Sequence, residues 1–419
     1  MGHLYIKAVF IFTRISKGFH VSISKTPTQI LWLQVWALAG VQGAITLTWL
    51  IYNVYLSKLL TQFGFPASFA VGLLVLENAL AVIMEPLMGG LSDRSQRWMG
   101  TRFPFISAGV ILASGLFIAI PCIVTFLPPG EVIRLILPLT LVAWALAMTV
   151  FRSPAIALLV KYAMPAELPL AVSVVTLAAG VIGAFRPIAN SYLLNLSPVF
   201  AFSIGSFVLV AAAFALRLVN PPDAPTEIFT PKIPIKNLGL ILGTGLGVAW
   251  GSRLLMDALG KLLKAKLNTD VSMLMVGIGL IIALAYIPGG WVASKVGNKL
   301  AMLCGVGTTI LGMVIMLYMG ALFPIIFIII AGFSLIVNGV IPLALELMPL
   351  RWVGLGIGMY FGGFSLAMSI FGMVFPQPQA IAPSTGLGIG AVAFLLGGGC
   401  IFLSHPAAQN SSEETTPSS

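Results

Sequence analysis

A single carboxylate lies in the middle of a long apolar stretch near residue 77. Glu77 stands in the segment "LLVLENALAV". A charge inside a bilayer costs at least about 2.5 kcal/mol, so such a residue is a functional candidate. Because burial disfavours the charged form, a carboxylate whose surroundings alternate between wet and dry can take up and release a proton. We predict that Glu77 carries a coupling proton or contacts a solute; a purely structural carboxylate is the alternative.

Three further charges interrupt apolar segments. Arg253 and Asp257, in "WGSRLLMDALG", are four residues apart and share one face of a helix, so we expect them to pair. Arg253 could also hold the hydroxyl or carboxylate groups of a solute, and Asp257 is a second candidate for ion coupling. Arg186, in "GAFRPIAN", is a further solute-binding candidate, although a long side chain near a helix end can simply reach the lipid headgroups.

Polar and aromatic side chains inside other apolar segments could bind a sugar. Amides donate and accept hydrogen bonds with hydroxyl groups, and an aromatic ring covers the apolar face of a sugar ring. The same residue types also join membrane helices to one another, which is the alternative here. The candidates are Gln42, Asn53, Trp250, Asn338 and Tyr360.

The densest group of charges within the apolar part of the first half lies in "MEPLMGGLSDRSQRWMGTRFPFI", residues 84–106. Asp93 can accept hydrogen bonds from a neighbouring helix N-terminus, which is a favourable place for an anion. The basic residues that follow can pair with carboxylates and with anionic headgroups. We predict a cytoplasmic gate formed by Gly90, Asp93, Arg94, Arg97 and Arg102, with Glu346 as an acidic partner.

The elements that position these residues must be membrane helices. The 419 residues are 59% hydrophobic and only 8% charged, whereas a soluble domain carries about 25% charged residues. Long continuous apolar runs favour helices over a barrel, whose strands alternate over about ten residues. Twelve spans are predicted, at 29–54, 67–91, 103–126, 132–158, 167–190, 197–219, 236–262, 270–293, 299–320, 322–347, 352–376 and 384–404.

The polar segment "LVNPPDAPTEIFTPKIPIKN" divides these spans into six plus six. We predict a cytoplasmic tail over 1–28, a six-helix bundle over 29–219 and a cytoplasmic linker over 220–235. A second bundle follows over 236–404, with a disordered cytoplasmic tail over 405–419. Repeated six-helix halves are typical of alternating-access transporters.

Most of the lysines and arginines fall in the segments that lie on the side of the termini when spans alternate. This bias places both termini in the cytoplasm of a multi-pass protein of the cell membrane. The net charge of +10 is therefore a topology signal, and we expect no nucleic-acid partner. We expect a monomer in the lipid bilayer.

The sequence argues against an enzyme. Its three histidines, His3, His20 and His405, are all terminal, and no nucleophile with a neighbouring base is apparent. The three cysteines lack the spacing of metal ligands, so we expect no metal and no cofactor.

The cluster at residues 90–106 resembles known transporters. Gly90, Leu91, Ser92, Asp93 and Arg94 resemble the signature loop of the major facilitator superfamily. The longer stretch "GGLSDRSQRWMGTRFPFI" is similar to the glycoside–pentoside–hexuronide cation symporters and the related sucrose transporters. The resemblance implies two pseudo-symmetric six-helix bundles and a secondary active transporter for a small polar solute, a sugar or glycoside, with proton symport as the candidate coupling. It also implies that the charged cluster latches the two halves together on the cytoplasmic side.

Two departures keep other functions open. Lys161 and Pro169 stand near positions where the sugar symporters have an acidic and a basic residue of their coupling apparatus. Sodium coupling or facilitated diffusion therefore remains an alternative. Arg186 and Arg253 supply positive charge, so an organic-anion transporter or facilitator of the same fold is another. A non-transporting membrane protein that binds a pigment or assists assembly is the third alternative.

Overall fold

The computed structural model describes residues 29–127, 130–222 and 232–405. The predicted tail over 1–28 lies outside the described residues. So do residues 223–231 of the predicted linker and all but the first residue of the predicted C-terminal tail.

The described residues form fourteen α-helices joined by short turns. Those of the first half are α1 (Trp32–Gln62), α2 (Ala67–Met99), α3 (Phe103–Phe126), α4 (Glu131–Ile156), α5 (Leu159–Tyr162), α6 (Leu168–Ala184), α7 (Arg186–Leu193) and α8 (Pro198–Val219). Those of the second half are α9 (Ile235–Leu267), α10 (Ser272–Val296), α11 (Asn298–Met319), α12 (Phe323–Glu346), α13 (Val353–Val374) and α14 (Pro383–Leu403).

Twelve helices in the described part of the chain are long and apolar enough to cross a membrane. They correspond to the twelve predicted spans, since α5 and α7 are short. Large apolar side chains such as Ile83 and Phe207 point outwards, as expected where lipid is the solvent. The predicted fold class, an all-α membrane protein with twelve transmembrane helices, is confirmed.

The second helix is longer than its apolar pattern indicates. The sequence predicts a span that ends at residue 91, but α2 continues to Met99 and ends at Gly100, whose φ is +72°. A positive φ suits glycine, which terminates helices in this conformation. The helix continues through the polar residues after residue 91, so Asp93 lies on a helix and not in a loop.

The fifth span is interrupted where one continuous helix was predicted over 167–190. Helix α6 ends at Ala184, and Arg186 begins the separate helix α7. Pro187 lacks the N–H that a continuing helix needs, and proline is favoured at the first positions of a new helix. Arg186 therefore belongs to a short helix that is separate from α6.

Two pairs of helices hold the halves together. Helix α2 packs along α13, and α6 packs along α10, so each half contributes one helix to each pair. Small residues permit the approach: a β-carbon placed on Gly290 of α10 would lie 2.6 Å from the Pro169 carbonyl oxygen of α6. Close packing of this kind at glycines is how membrane helices associate.

Candidate functional site

Asp93 lies at the end of α2 where the two halves meet. We call this end of the bundle, at which Asp93 and Gly354 lie, the motif end. The Asp93 side chain is only 2% exposed and Arg102 is only 1% exposed. Arg102 Nη1 lies 2.5 Å from Asp93 Oδ1, and the same nitrogen is 3.4 Å from the Ser92 hydroxyl. A buried carboxylate is therefore neutralised by an arginine of its own half.

The same carboxylate binds the N-terminus of α13 in the other half. The backbone amides of Gly354 and Leu355 donate to Asp93 Oδ1 and Oδ2, at 3.0 and 2.8 Å. The first amides of a helix have no partner within the helix, and the helix dipole favours an anion there. Asp93 thus links the two halves through two charge-assisted hydrogen bonds.

This link requires glycine where α2 and α13 touch. A β-carbon placed on Gly354 would lie 2.7 Å from the Gly89 carbonyl oxygen and 2.7 Å from Asp93 Oδ1. A β-carbon on Gly90, the glycine selected from the sequence, would meet Leu355 Cδ1 at an ordinary 3.7 Å. Gly89 and Gly354, rather than Gly90, are the glycines that the packing demands.

The other predicted residues at this end differ in their surroundings. The Arg97 guanidinium lies over the Trp352 ring, 5.1 Å from its centre, and so also joins the two halves. Arg94 is exposed. Glu346, at the end of α12, is half-buried and makes no ion pair with the described residues. The structure brings Arg97 into the contact between the halves and leaves Arg94 outside it.

A second buried ion pair lies deeper along α2, and sequence reasoning did not single it out. Glu85 is fully buried and pairs with Arg152 of α4, while the Ser153 hydroxyl donates to Glu85 Oε2 at 2.8 Å. The Arg152 guanidinium also lies 4.0 Å from the centre of the Phe361 ring on α13. Membrane-buried charges pair with one another, and the presence of one acid in the second span and one arginine in the fourth was the signal available.

Glu77 lies further along α2, towards the opposite end. Its side chain is 3% exposed, and its Oε1 accepts a hydrogen bond from the Tyr52 hydroxyl of α1. Its other oxygen, Oε2, is buried without a partner among the described residues. The Tyr52 ring packs 4.4 Å from Trp144 and 5.6 Å from Trp49, measured between ring centres. Glu77 therefore sits in an aromatic setting with one oxygen available for a proton.

A cavity of about 210 Å³ opens between the halves at the level of Glu77. Asn53, which lines it, directly follows the tyrosine that binds Glu77. Sixteen residues of α2 separate Glu77 from Asp93, which at 1.5 Å per residue is about 24 Å. The cavity therefore lies far from the motif end. Its lining residues come from α1, α7 and α9 and are Leu50, Asn53, Val54, Arg186, Asn190 and Arg253.

The pairing of charges on α9 differs from the prediction. Asp257 Oδ2 lies 2.6 Å from Lys261 Nζ, one turn further along the helix, and forms its ion pair there, although its charge still acts on Arg253. The Arg253 guanidinium lies over the Phe371 ring of α13, 5.3 Å from its centre, and faces the cavity. Asp257 has a basic residue four positions away in each direction, Arg253 and Lys261, and its ion pair is with Lys261.

The remaining solute-binding candidates mostly join helices. Trp250 Nε1 donates to the Ala367 carbonyl at 2.5 Å, and Asn338 Nδ2 donates to the Pro169 carbonyl at 3.0 Å. The Tyr360 ring packs against Phe361 at 4.9 Å. Gln42 is half-buried, and its Oε1 has no partner among the described residues. Of these candidates and Asn53, only Asn53 lines the cavity.

No cluster of three or more histidine, cysteine, aspartate or glutamate side chains lies within the three described ranges in a position to hold a metal ion.

Comparison with known proteins identifies the family of this chain. The sequence profile of the Major Facilitator Superfamily matches residues 38–373. No curated protein matches the sequence.

Several solved structures share the fold at low identity. A bacterial homologue of the iron transporter ferroportin in the outward-facing state has a TM-score of 0.69 and 14% identity, over 88% of this chain and 98% of the other. The major facilitator transporter FucP in the outward conformation has a TM-score of 0.64 and 11% identity, over the same shares of the two chains. The human organic anion transporter MFSD10 (TETRAN) has a TM-score of 0.62 and 12% identity, over 90% of this chain and 100% of the other. This chain belongs to the Major Facilitator Superfamily, and it is a multi-pass membrane transporter by fold and not an enzyme.

Proposed function

We propose that this protein is a secondary transporter that moves a small polar solute, such as a sugar or glycoside, across the cell membrane by alternating access. One observation carries the proposal. The halves are joined through Asp93 at the motif end, while a polar cavity lies between them near the Tyr52–Glu77 hydrogen bond, and Glu77 is about 24 Å along α2 from Asp93. A static binding protein would have no need of contacts that can close one end while the other stays open.

The motif end is the cytoplasmic gate in this proposal. Contacts from Asp93 and Arg152 reach α13 in the other half, and Arg97 reaches Trp352 directly before α13. They would break together when the halves rock apart and the solute is released to the cytoplasm. The cavity would face the outside in the state that the contacts stabilise.

Glu77 is the residue that we assign to proton coupling. It is buried, one of its oxygens has no partner among the described residues, and Tyr52 ties it to the helix that lines the cavity. Asp257, the other candidate, is already neutralised by Lys261. A change of protonation at Glu77 would alter its bond to Tyr52, and so the position of the adjacent Asn53.

Uptake by the purified full chain in proteoliposomes tests the proposal. Labelled sugars and glycosides should accumulate when the outside is acidified, and accumulation should collapse when a protonophore is added. Transport without dependence on the gradient would contradict the proton coupling only. Absence of transport for every neutral and charged solute in a broad panel would contradict the transport function and favour a binding or assembly role.

A further inference from the structure

We infer that the solute carries a negative charge, which Arg186 and Arg253 bind together. The inference rests on the proposed transport function and narrows it to anionic solutes. Both side chains line the same cavity, Arg186 from α7 in the first half and Arg253 from α9 in the second. A carboxylate or phosphate is the group that a guanidinium binds most favourably, through two parallel hydrogen bonds.

The charges of the surrounding helices support this inference. The other membrane-embedded cations described above have carboxylates of their own: Arg102 binds Asp93, Arg152 binds Glu85, and Lys261 binds Asp257. Within the described ranges, neither Arg186 nor Arg253 forms an ion pair. The cavity lining contains no acidic residue. Two like charges therefore face one cavity whose lining supplies no counter-charge, and Asp257 acts on Arg253 only from outside that lining.

Asp257 lies on the same helix as Arg253, but its ion pair is with another residue. It lies one helical turn from Arg253 and acts on it electrostatically, but its carboxylate forms its ion pair with Lys261, 2.6 Å away. Arg253 rests on the Phe371 ring, an interaction that orients a guanidinium without neutralising it. The arginine is thus positioned and left charged, which is what binding an anion requires.

The rest of the lining indicates what else the solute carries. Asn53 Nδ2 already donates to the Trp49 carbonyl at 2.6 Å, which leaves its side-chain oxygen to accept a hydrogen bond. A hydroxyl group on the solute would supply that donor. The volume of about 210 Å³ lies below the roughly 300–1,000 Å³ of pockets for drug-sized ligands. These features fit a small hydroxylated anion, such as a sugar acid or a sugar phosphate.

The site also draws on both halves of the molecule. An anion held by Arg186 and Arg253 would bridge the halves at the end opposite to the motif end. Bound solute would then replace the repulsion between the arginines by attraction to a shared partner. Closure of the outer end would depend on the negative charge.

Binding to the purified full chain in lipid nanodiscs tests the inference. The probes are gluconate, glucose 6-phosphate and uncharged glucose, measured by isothermal titration calorimetry. We expect at least one anion to bind at least tenfold more tightly than glucose. Arg186→Gln and Arg253→Gln should each weaken that binding by tenfold or more. Lys264→Gln is the matched control, since it removes the same charge from α9 at an exposed residue outside the cavity, and it should bind the anion as the wild type does.

The choice between the two anions identifies the group that is recognised. Preference for gluconate assigns a carboxylate, and preference for glucose 6-phosphate assigns a phosphate. Equal binding of glucose and both anions, anion binding that survives both arginine substitutions, or binding of neither anion would overturn the inference. Uptake of a neutral solute in proteoliposomes would leave the transport function standing in each of these cases, so the two failures are distinguishable.

Discussion

Gly89 and Gly354 pack backbone against backbone at the motif end, so that a β-carbon on Gly354 would lie 2.7 Å from the Gly89 carbonyl oxygen. Any larger residue must push α2 and α13 apart. Since Asp93 reaches the amides of Gly354 and Leu355 across this contact, its two hydrogen bonds depend on glycine at both positions.

Gly89→Ala should therefore shift the protein towards the state with an open motif end. Forcing a methyl group into a tight contact costs about 1–3 kcal/mol, which corresponds to a roughly five- to 160-fold change in the equilibrium between states. A cysteine at position 95, where the serine is only 5% exposed, reports the change. Its labelling by a membrane-impermeant maleimide in inside-out vesicles should become faster.

Gly72→Ala is the matched control for this experiment. Gly72 lies on the same helix, and a β-carbon there has nothing within 4 Å. Labelling should stay at the wild-type rate. Equal rates in Gly89→Ala and Gly72→Ala would show that the contact does not hold the motif end closed.

Asp93→Asn should reduce transport severalfold or more while the protein still inserts into the membrane. The amide keeps the shape of the side chain but removes the charge that Arg102 and the N-terminus of α13 favour. Initial uptake rates at matched protein levels in proteoliposomes measure the effect. Glu131→Gln removes an exposed carboxylate far from the motif end and serves as the control. Wild-type transport by Asp93→Asn would reduce Asp93 to a structural residue.

Glu77→Gln should abolish uptake against a concentration gradient and spare exchange of solute across the membrane. Glutamine imitates the protonated carboxyl group, so binding and conformational change persist without proton release. The comparison is active uptake against counterflow in the same well-expressed variant. Loss of both activities together would indicate a structural carboxylate, and wild-type rates of both would move the coupling site to Asp257.

Arg152→Gln should lower the thermal stability of the protein in detergent. Removing one partner of a buried ion pair typically costs about 3–5 kcal/mol, because the other charge is left uncompensated. Here the uncompensated group is Glu85, which is fully buried. The double variant Glu85→Gln/Arg152→Gln should recover part of the lost melting temperature. Strictly additive losses in the double variant would mean that the two residues do not act as a pair.

Cysteine labelling tests the orientation in the membrane. A single cysteine at position 227, in the predicted linker, should react only from the cytoplasmic side. The native residues Cys122, Cys304 and Cys400 are first replaced by serine. Reaction of position 227 with an impermeant reagent applied from outside would invert the topology, and the assignment of the motif end as the cytoplasmic gate with it.

The fold was predictable because lipid makes each helix nearly autonomous. Every backbone group of a span must be satisfied within that span, so apolar length alone marks the helix. The apolar pattern did not predict the end of a helix that continues beyond its apolar segment, as α2 does from residue 91 to Met99. It also failed at Arg186, where a new helix begins with a proline at its second residue, inside a segment that was predicted as one continuous span.

The site was predictable only in part, because its partners are distant in sequence. Asp93 stands out by its local motif, but Glu85 and Arg152 are separated by 67 positions, and only packing shows that they meet. Asp257 had two candidate partners at equal spacing, and sequence offers no reason to prefer Lys261. Tyr52 resembles any other aromatic residue of a membrane helix until its hydroxyl is seen on Glu77.

In the proposed transport cycle, the double role of Asp93 would limit the free energy needed to separate the two halves. Asp93 and Arg102 belong to the same half, so their ion pair travels intact when the halves separate. Separation would break the pair of hydrogen bonds to Gly354 and Leu355, each worth about 1.5–3 kcal/mol as bonds to a charged group, together with the contacts of Arg97 and Arg152 to the other half. The Asp93 carboxylate would therefore keep its arginine partner throughout the proposed cycle. The free energy of these two hydrogen bonds is comparable to the free energy released when a small solute binds with millimolar affinity, about 4 kcal/mol. In the proposed cycle, solute binding would supply a free energy of the size needed to break these two hydrogen bonds, whereas the protein without solute would keep them.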